Sequence, residues 1–232
     1  MNKLIFLREF QESDRHTLEQ IVRDTWNYNR FCSPKTAQKL ARAYLSSCLA
    51  DQTYTQVALV DDKPAAIIMA KNITSHRCPF GLRLDLLLST ISLLSTREGR
   101  AVFHAFSEVE RIDRELLSQC QPYDGELAFF AVNKDCRGIG IGKMLFQKAV
   151  EYMNTQKISA FYLFTDTSCN YGFYEHQGMK RQMEKKCRMR IQGQLNILRW
   201  RSHPISWDRA TGSVIGSQPS DGGSHELYHG SR

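Results

Sequence analysis

The sequence lacks the long apolar segments that mark membrane and secreted proteins. Its longest apolar run, residues 86–94, includes Ser89 and Thr90, and a membrane-spanning helix needs ~20 apolar residues. The N-terminal segment MNKLIFLREF holds too few apolar side chains before its charges to form the core of a signal peptide. We therefore expect a soluble, cytoplasmic protein.

Paired cysteines are also missing. The chain has 7 cysteines, and no two of them are spaced as CxxC, so we predict neither a zinc knuckle nor a disulfide framework. His225 and His229 have a spacing found in metal sites, but no further ligand accompanies them. The sequence thus predicts free thiols and no metal ion.

Acidic residues are fewer than basic ones, and the formal net charge is +7. Such a balance favours polyanionic ligands, including nucleotides, phosphates and RNA. A late cluster of Lys185, Lys186, Arg188 and Arg190 leaves RNA or ribosome association as an alternative function. No aromatic stacking platform accompanies this cluster, which argues against RNA binding.

The order of predicted elements indicates a mixed fold in which helices cover a sheet. Periodicity predicts a strand at 5–10, helices after Asp14 and from Pro34, and a hairpin formed by 56–60 and 65–70. Residues 73–124 read as an insertion of two helices that break near 95–99. From residue 126 the pattern becomes strand, glycine-rich turn, helix, strand and short helix, which is typical of an α/β unit.

The glycine-rich turn carries the chemical information. An apolar strand at 127–132, which we expect to be buried on both faces, is followed by Arg137, Gly138, Gly140, Gly142 and Lys143 at the start of a helix. Glycines let the backbone approach a ligand closely, and a helix N-terminus binds phosphate. Neither the P-loop pattern nor the dinucleotide pattern GxGxxG is satisfied. What remains is Arg-x-x-Gly-x-Gly.

This pattern resembles the pyrophosphate loop of the GNAT superfamily of acyl-CoA-dependent N-acyltransferases. The segment ELAFFAVNKDCRGIGIGKML is similar to the family's central strand, loop and helix, and ISAFYLFTDTSCNYGFYEHQGM is similar to its next strand and helix. The resemblance implies an α/β (α+β) fold, with a mixed central sheet, a splayed pair of parallel strands at 126–132 and 158–165, flanking helices, and a helical insertion before the central strand. We expect one domain over 1–202 and a disordered tail over 203–232.

The resemblance also implies acetyl-CoA as the co-substrate, lying between the splayed strands. Backbone N–H groups of residues 138–143 would hold the pyrophosphate, and the central strand would pair with the pantetheine arm. The residues that the resemblance assigns to acetyl-CoA are Ala131, Val132, Arg137, Gly138, Ile139, Gly140, Ile141, Gly142, Lys143 and Asn170.

Two side chains are candidates for proton transfer. By resemblance, Tyr174 protonates the departing thiolate, and a phenol is protonated at neutral pH and able to donate. Glu126 is the candidate general base, since it begins the central strand and shares side-chain parity with residues 128, 130 and 132. Asp124 and Asp166 are possible substitutes for Glu126.

The predicted function is transfer of an acetyl group from acetyl-CoA to a primary amine by direct attack in a ternary complex. The acceptor stays open between a small molecule and a protein. The Trp26–Phe31 segment and the insertion 73–124 are expected to shape its site. The alternative is a non-catalytic acyl-CoA-binding protein of the same fold, and a homodimer is also left open.

Overall fold

The computed structural model describes residues 4–120, 122–165, 171–181, 185–191 and 194–208. In this part of the chain, one sheet runs in the order β1-β2-β3-β4-β5-β8-β6, with β7 also paired to β8. The strands are β1 Ile5–Arg8, β2 Tyr54–Val60, β3 Lys63–Asn72, β4 Gly125–Val132, β5 Ala160–Thr165, β6 Lys180–Arg181, β7 Lys185–Ile191 and β8 Gln194–Asp208. The helices are α1 Arg15–Thr25, α2 Pro34–Ala50, α3 Phe80–Leu94, α4 Arg97–Leu117, α5 Ile141–Thr155 and α6 Tyr171–His176.

Local sequence features explain where the N-terminal elements begin and turn. Ser33 caps α2 because its hydroxyl accepts a hydrogen bond from the Thr36 N–H, and Pro34 occupies the first turn. Asp61 and Asp62 both have positive φ, of 50° and 63°, and they join β2 to β3. Two such residues give the tight hairpin that matches the twist of its strands. The predicted hairpin and both predicted helices are confirmed.

Alternation along the strands divides the core between the two faces of the sheet. On β3, Ile67 and Met69 pack with α1, α2 and the insertion helices. Their neighbours Ala66 and Ile68 pack on the other face with α5. Since successive strand side chains point to opposite faces, one sheet carries a separate apolar layer on each side. The site described below lies between β4 and β5, where these layers meet.

The insertion is fastened to the first two helices near the start of α3. Asp85 of α3 lies 3.0 Å from the buried guanidinium of Arg15 in α1. The Asp85 carboxylate also accepts a 2.7 Å hydrogen bond from the Ser46 hydroxyl of α2. Because removing one partner from a buried ion pair leaves an uncompensated charge, this contact fixes α3 against α1 and α2.

A second attachment holds the start of α4. The Glu98 carboxylate accepts hydrogen bonds from the Ser33 N–H at 2.7 Å and from the Ser33 hydroxyl at 2.6 Å. The Thr36 hydroxyl also bonds to Glu98. The break between the two insertion helices, which the sequence predicts near 95–99, therefore lies against the N-terminus of α2. The insertion packs as part of the domain.

The C-terminal strands extend further than the sequence indicates. We expected the domain to end at 202, but β8 continues to Asp208 and pairs antiparallel with β5, from Thr165↔His203 to Ala160↔Asp208. The expected boundary is therefore wrong. The physical reason is that β8 covers the edge of β5 that faces away from β4, and such an edge needs a partner. Residues 209–232, including His225 and His229, lie outside the described residues.

Helix length and composition also bear on membranes. Of the helices in the described ranges, none is both long enough and apolar enough to cross a bilayer.

Candidate active site

The parallel strands β4 and β5 pair briefly and then separate. In the described residues their ladder consists of Gly125↔Phe161 and Glu126↔Tyr162. Beyond these two rungs, β4 continues to Val132 and β5 to Thr165 without pairing to each other. Separated parallel strands leave unpaired backbone groups along the fork, which an added strand or a ligand can bond. The predicted splayed pair is confirmed.

A cavity of about 510 Å³ lies at this fork. Side chains from four helical regions line its outer part, and β4, β5 and α6 line its inner end. Representative lining residues are Trp26, Tyr44, Phe106, Glu126 and Tyr174. Its size is that of a small-molecule site. The cavity brings together the two predicted catalytic residues and the two segments expected to shape the acceptor site.

A register shift directs Glu126 toward the cavity. Between Met69↔Phe129 and Lys71↔Glu126, β4 advances by one residue more than β3. An extra residue in one strand reverses the faces of the side chains beyond it. Leu127 accordingly packs with the α5 layer, while Glu126 faces α2, where its charge contributes to the raised pKa of Cys48. Both residues border the cavity. The expected parity of Glu126 with residues 128, 130 and 132 is therefore wrong.

The surroundings of Glu126 disfavour its charged form. Burial raises the pKa of its carboxyl above the usual range, and Asp51 and Asp113 add to this by repulsion. Lys71 across the ladder and a hydrogen bond with Tyr162 act in the opposite direction, but the raised pKa shows that burial dominates. Burial and repulsion from Glu126 likewise raise the pKa of Tyr162. A carboxyl whose pKa is raised holds a transferred proton more readily than an ordinary carboxyl does.

Replacing Glu126 with glutamine should stabilise the fold at alkaline pH. A carboxyl with a raised folded-state pKa binds its proton more tightly in the folded state, so stability falls as pH rises through that pKa. Glu126→Gln buries no charge, and its Tm should exceed that of wild type at about pH 8 while matching it at about pH 4. Thermal melts of both proteins at several pH values between these limits measure the difference in Tm.

The control for this measurement is Glu115→Gln, which removes a carboxylate from the exposed surface of α4. Its Tm should equal that of wild type across the same pH range, because an exposed charge is solvated in both the folded and the unfolded state. If the difference in Tm between Glu126→Gln and wild type did not change with pH, the Glu126 carboxyl would not be desolvated in the folded protein.

The glycine turn before α5 has the conformation that its sequence predicts. Gly138 and Gly140 have φ of 81° and 88°, and Gly140 is the N-cap of α5. The Met144 N–H closes the first turn by donating to the Gly140 carbonyl at 3.1 Å. The N–H groups before Met144 have no acceptor within the helix and lie at the positive end of its dipole. Arg137 and Lys143 are exposed beside them.

The side chains of this turn differ in exposure. Ile139 is exposed, whereas the side chain of Ile141 is buried under the helix start and is not available to a ligand. A Cβ built on Gly140 would meet nothing in the chain within 4 Å. The space beside this glycine is therefore open to a ligand, and the turn could hold a phosphate group.

The open edge of β4 distinguishes between Ala131 and Val132. The Asn133 N–H donates to the Ala65 carbonyl of β3 at 2.8 Å. Because backbone groups alternate sides along a strand, those of Ala131 also point to β3, whereas those of Val132 point to the fork. The backbone of Val132 is thus open to a ligand in the fork. By the same alternation, the backbone of Phe130 also points to the fork, and the sequence did not single out this residue.

Tyr174 lies at the inner end of the cavity. Its ring contacts Phe130 and Phe146 with centroid distances of 6.4 Å, and it is half-buried. Asn170 and Asp166 lie outside the described residues, and their assigned roles stay predictions. Asp124 is half-buried and does not line the cavity, and its carboxylate accepts from the Ser159 N–H at 3.3 Å, so it is less suited than Glu126 to act as the base.

The sequence did not single out several residues of the site: Tyr162, which hydrogen-bonds with Glu126, and the lining residues Thr165, Glu110 and Asp113. Tyr162 could have been found, because it occupies the parallel strand beside Glu126. The two α4 carboxylates carry no local motif. Their position depends on how the insertion packs.

The remaining sequence predictions concern thiols, metals and RNA. Burial raises the pKa of Cys32 to about 11 and of Cys48 to about 12, so both thiols stay protonated. Within the described ranges, no group of three His, Cys, Asp or Glu side chains is placed to hold a metal ion. The basic residues of the RNA alternative fall on β7, as predicted for a strand.

Comparison with known proteins identifies the family. The sequence model of the Acetyltransferase (GNAT) family matches residues 16–179, which include both strands of the fork and the glycine turn. The chain belongs to this family. Members of the GNAT family use acetyl-CoA, and the fork, the turn and Tyr174 all lie within the matched segment. A search of curated proteins found no match.

Solved structures share the fold at low sequence identity. A protein from Pyrococcus horikoshii OT3 matches with a TM-score of 0.55 and 14% identity, over 89% of this chain and 99% of its own. A ribosomal-protein-alanine N-acetyltransferase from Brucella melitensis matches with a TM-score of 0.51 and 14% identity, over 88% and 99%. A GCN5-related N-acetyltransferase from Rhodopseudomonas palustris gives 0.51 and 11%, over 90% and 99%. These three structures are similar to this chain in fold.

Proposed function

We propose that the chain is an N-acetyltransferase that moves the acetyl group of acetyl-CoA to a primary amine held in the cavity. One observation carries this proposal: Glu126 and Tyr174 line the same cavity, at the fork of β4 and β5. The glycine turn before α5 supports it, since the open N–H groups there suit the pyrophosphate. The backbone of Val132 is the candidate partner for the pantetheine arm.

The proposed reaction begins with removal of a proton from the acceptor. For an amine of pKa ~10.4 at neutral pH, this costs roughly 4.6 kcal/mol. Glu126 takes this proton, directly or through a water. The amine nitrogen then bonds to the thioester carbonyl carbon, and the carbon–sulfur bond breaks. As that bond breaks, the nitrogen, which became positively charged on attack, loses its second proton to solvent. Tyr174 gives a proton to the departing thiolate and regains one from solvent, and Glu126 releases its proton to solvent, so the reaction releases one proton overall.

A thioester-consumption assay with a panel of primary amines tests the function. We expect release of free CoA thiol that depends on both the protein and an amine, with the acetylated amine detected by mass spectrometry. The non-catalytic alternative predicts calorimetric uptake of acetyl-CoA without any acetylated product. Absence of uptake by folded protein would remove both readings and leave only the family's fold.

The acyl group, the cellular location and the oligomeric state stay predictions. Acetyl is proposed over longer acyl groups on the family match alone. Sedimentation of the purified protein at several concentrations measures whether it forms the predicted homodimer.

A further inference from the structure

Helix α4 presents one stripe of side chains to the cavity. The stripe comprises Phe103, Phe106, Ser107, Glu110 and Asp113, whose spacing of three and four residues keeps them on one helix face. Its polarity changes along the helix, because the two phenylalanines come first and the two carboxylates come last. The cavity therefore has an apolar end and an acidic end along this wall.

The acidic end lies toward Glu126. Asp113 is half-buried and lines the same cavity as Glu126. Its charge repels the Glu126 carboxylate. Glu110 lines the same wall one helical turn earlier and is exposed at the rim. Lys71 is the cation nearest in the ladder, but its Nζ is 2.5 Å from Asp51 Oδ1. Of the described side chains that line the cavity, none is basic, although the whole chain has a net charge of +7.

The apolar end is built from aromatic rings. Trp26 stacks on Phe129 with centroids 5.7 Å apart, and the edge of Tyr44 meets both rings. Tyr28 contacts Phe106 edge-on at 5.8 Å. Such a wall favours a flat or branched apolar group, and aromatic faces also attract cations.

We infer that the acceptor is a small cationic amine with an aromatic or branched apolar body and no carboxylate beside the amine. This inference rests on the proposed function and specifies its substrate class. Glu110 and Asp113 attract and orient the ammonium group, and Glu126 receives its proton at the fork. The rings of Trp26 and Phe106 hold the apolar body. The carboxylates of Glu110 and Asp113 lie beside the path of the amine to Glu126, and their charge excludes amines that carry a negative charge of their own.

Three amines test the inference: phenethylamine, ethylamine and free phenylalanine. The first differs from the second by a phenyl ring and from the third by a carboxylate. We expect kcat/KM for phenethylamine to exceed both others by at least about tenfold, as burial of a ring and avoidance of like charge require. Equal or faster acetylation of ethylamine, of phenylalanine or of a peptide N-terminus overturns the inference while leaving the acetyltransferase function intact.

Variants on α4 test the contributions of the acidic end and the apolar end of the cavity one at a time. Asp113→Asn should raise KM for phenethylamine by about tenfold and reduce the discrimination against phenylalanine, with KM for acetyl-CoA unchanged. Glu115→Gln removes the same charge from the same helix outside the cavity, and it should change neither KM. Phe103→Ala, at a side chain 43% exposed, should lower kcat/KM for phenethylamine but not for ethylamine.

Calorimetry distinguishes failure of the inference from failure of the function. Protein loaded with CoA should bind phenethylamine and not phenylalanine. If CoA binds and phenylalanine binds as well as phenethylamine, the acceptor class is wrong. If CoA itself does not bind, the proposed function fails, and the acceptor class fails with it.

Discussion

Tyr174→Phe should lower kcat by about a hundredfold, because a positioned general acid contributes ~10²–10⁴ to the rate. The ring stays, so its contacts with Phe130 and Phe146 are kept. KM for acetyl-CoA should therefore change little, and steady-state kinetics with acetyl-CoA varied at saturating amine measure both constants. The loss should shrink with an acyl donor whose thiol leaves as a more stable anion.

Tyr152→Phe is the matched control for this loss. It also removes a phenolic hydroxyl, which donates to Thr53 at 2.6 Å, on a side of the sheet away from the cavity. Its turnover should equal that of wild type, with a modest loss of stability from one hydrogen bond. Unchanged turnover in Tyr174→Phe would take Tyr174 out of the mechanism.

Gly140→Val should weaken the affinity for CoA by at least about a hundredfold, since several charge-assisted hydrogen bonds to phosphate are lost together. A Cβ at this position meets no atom of the chain itself within 4 Å, so we expect the obstruction to fall on the ligand that would approach the turn. Isothermal titration of folded protein with CoA measures the change.

Backbone strain must be separated from this obstruction. Gly178 also has a positive φ, of 86°, and a Cβ at this position would likewise meet nothing in the chain within 4 Å. Gly178→Val therefore imposes similar strain after α6, away from the start of α5. It should lower Tm as Gly140→Val does and still bind CoA. Equal loss of affinity in both variants would mean that strain, and not contact with phosphate, explains the effect.

The sequence was most informative where function depends on a short contiguous segment. The positive φ of Gly138 and Gly140 and the start of α5 follow directly from the residues of the turn, because glycine and helix ends have fixed local properties. The order of the elements and the break in the insertion were also predicted, since each follows a local periodicity.

Properties that depend on neighbouring strands were predicted less well. Residues 127–132 read as buried on both faces, but Ala128, Phe130 and Val132 are only half-buried. The extra residue opposite Ala70 reversed the predicted face of Glu126. No local pattern marks such a shift, since it arises from the pairing of two strands that lie far apart in the chain.

By itself, the sequence determined that this chain has a phosphate-binding type of turn between a strand and a helix, with a tyrosine on the next helix. Only the tertiary structure decided what surrounds them. The cavity takes its walls from helices distant in sequence, and Asp113 lines the same cavity as Glu126 because Asp85 and Glu98 fix the insertion on α1 and α2. Local backbone conformation depends on adjacent residues, whereas the charge and shape of a cavity exist only once those helices have packed.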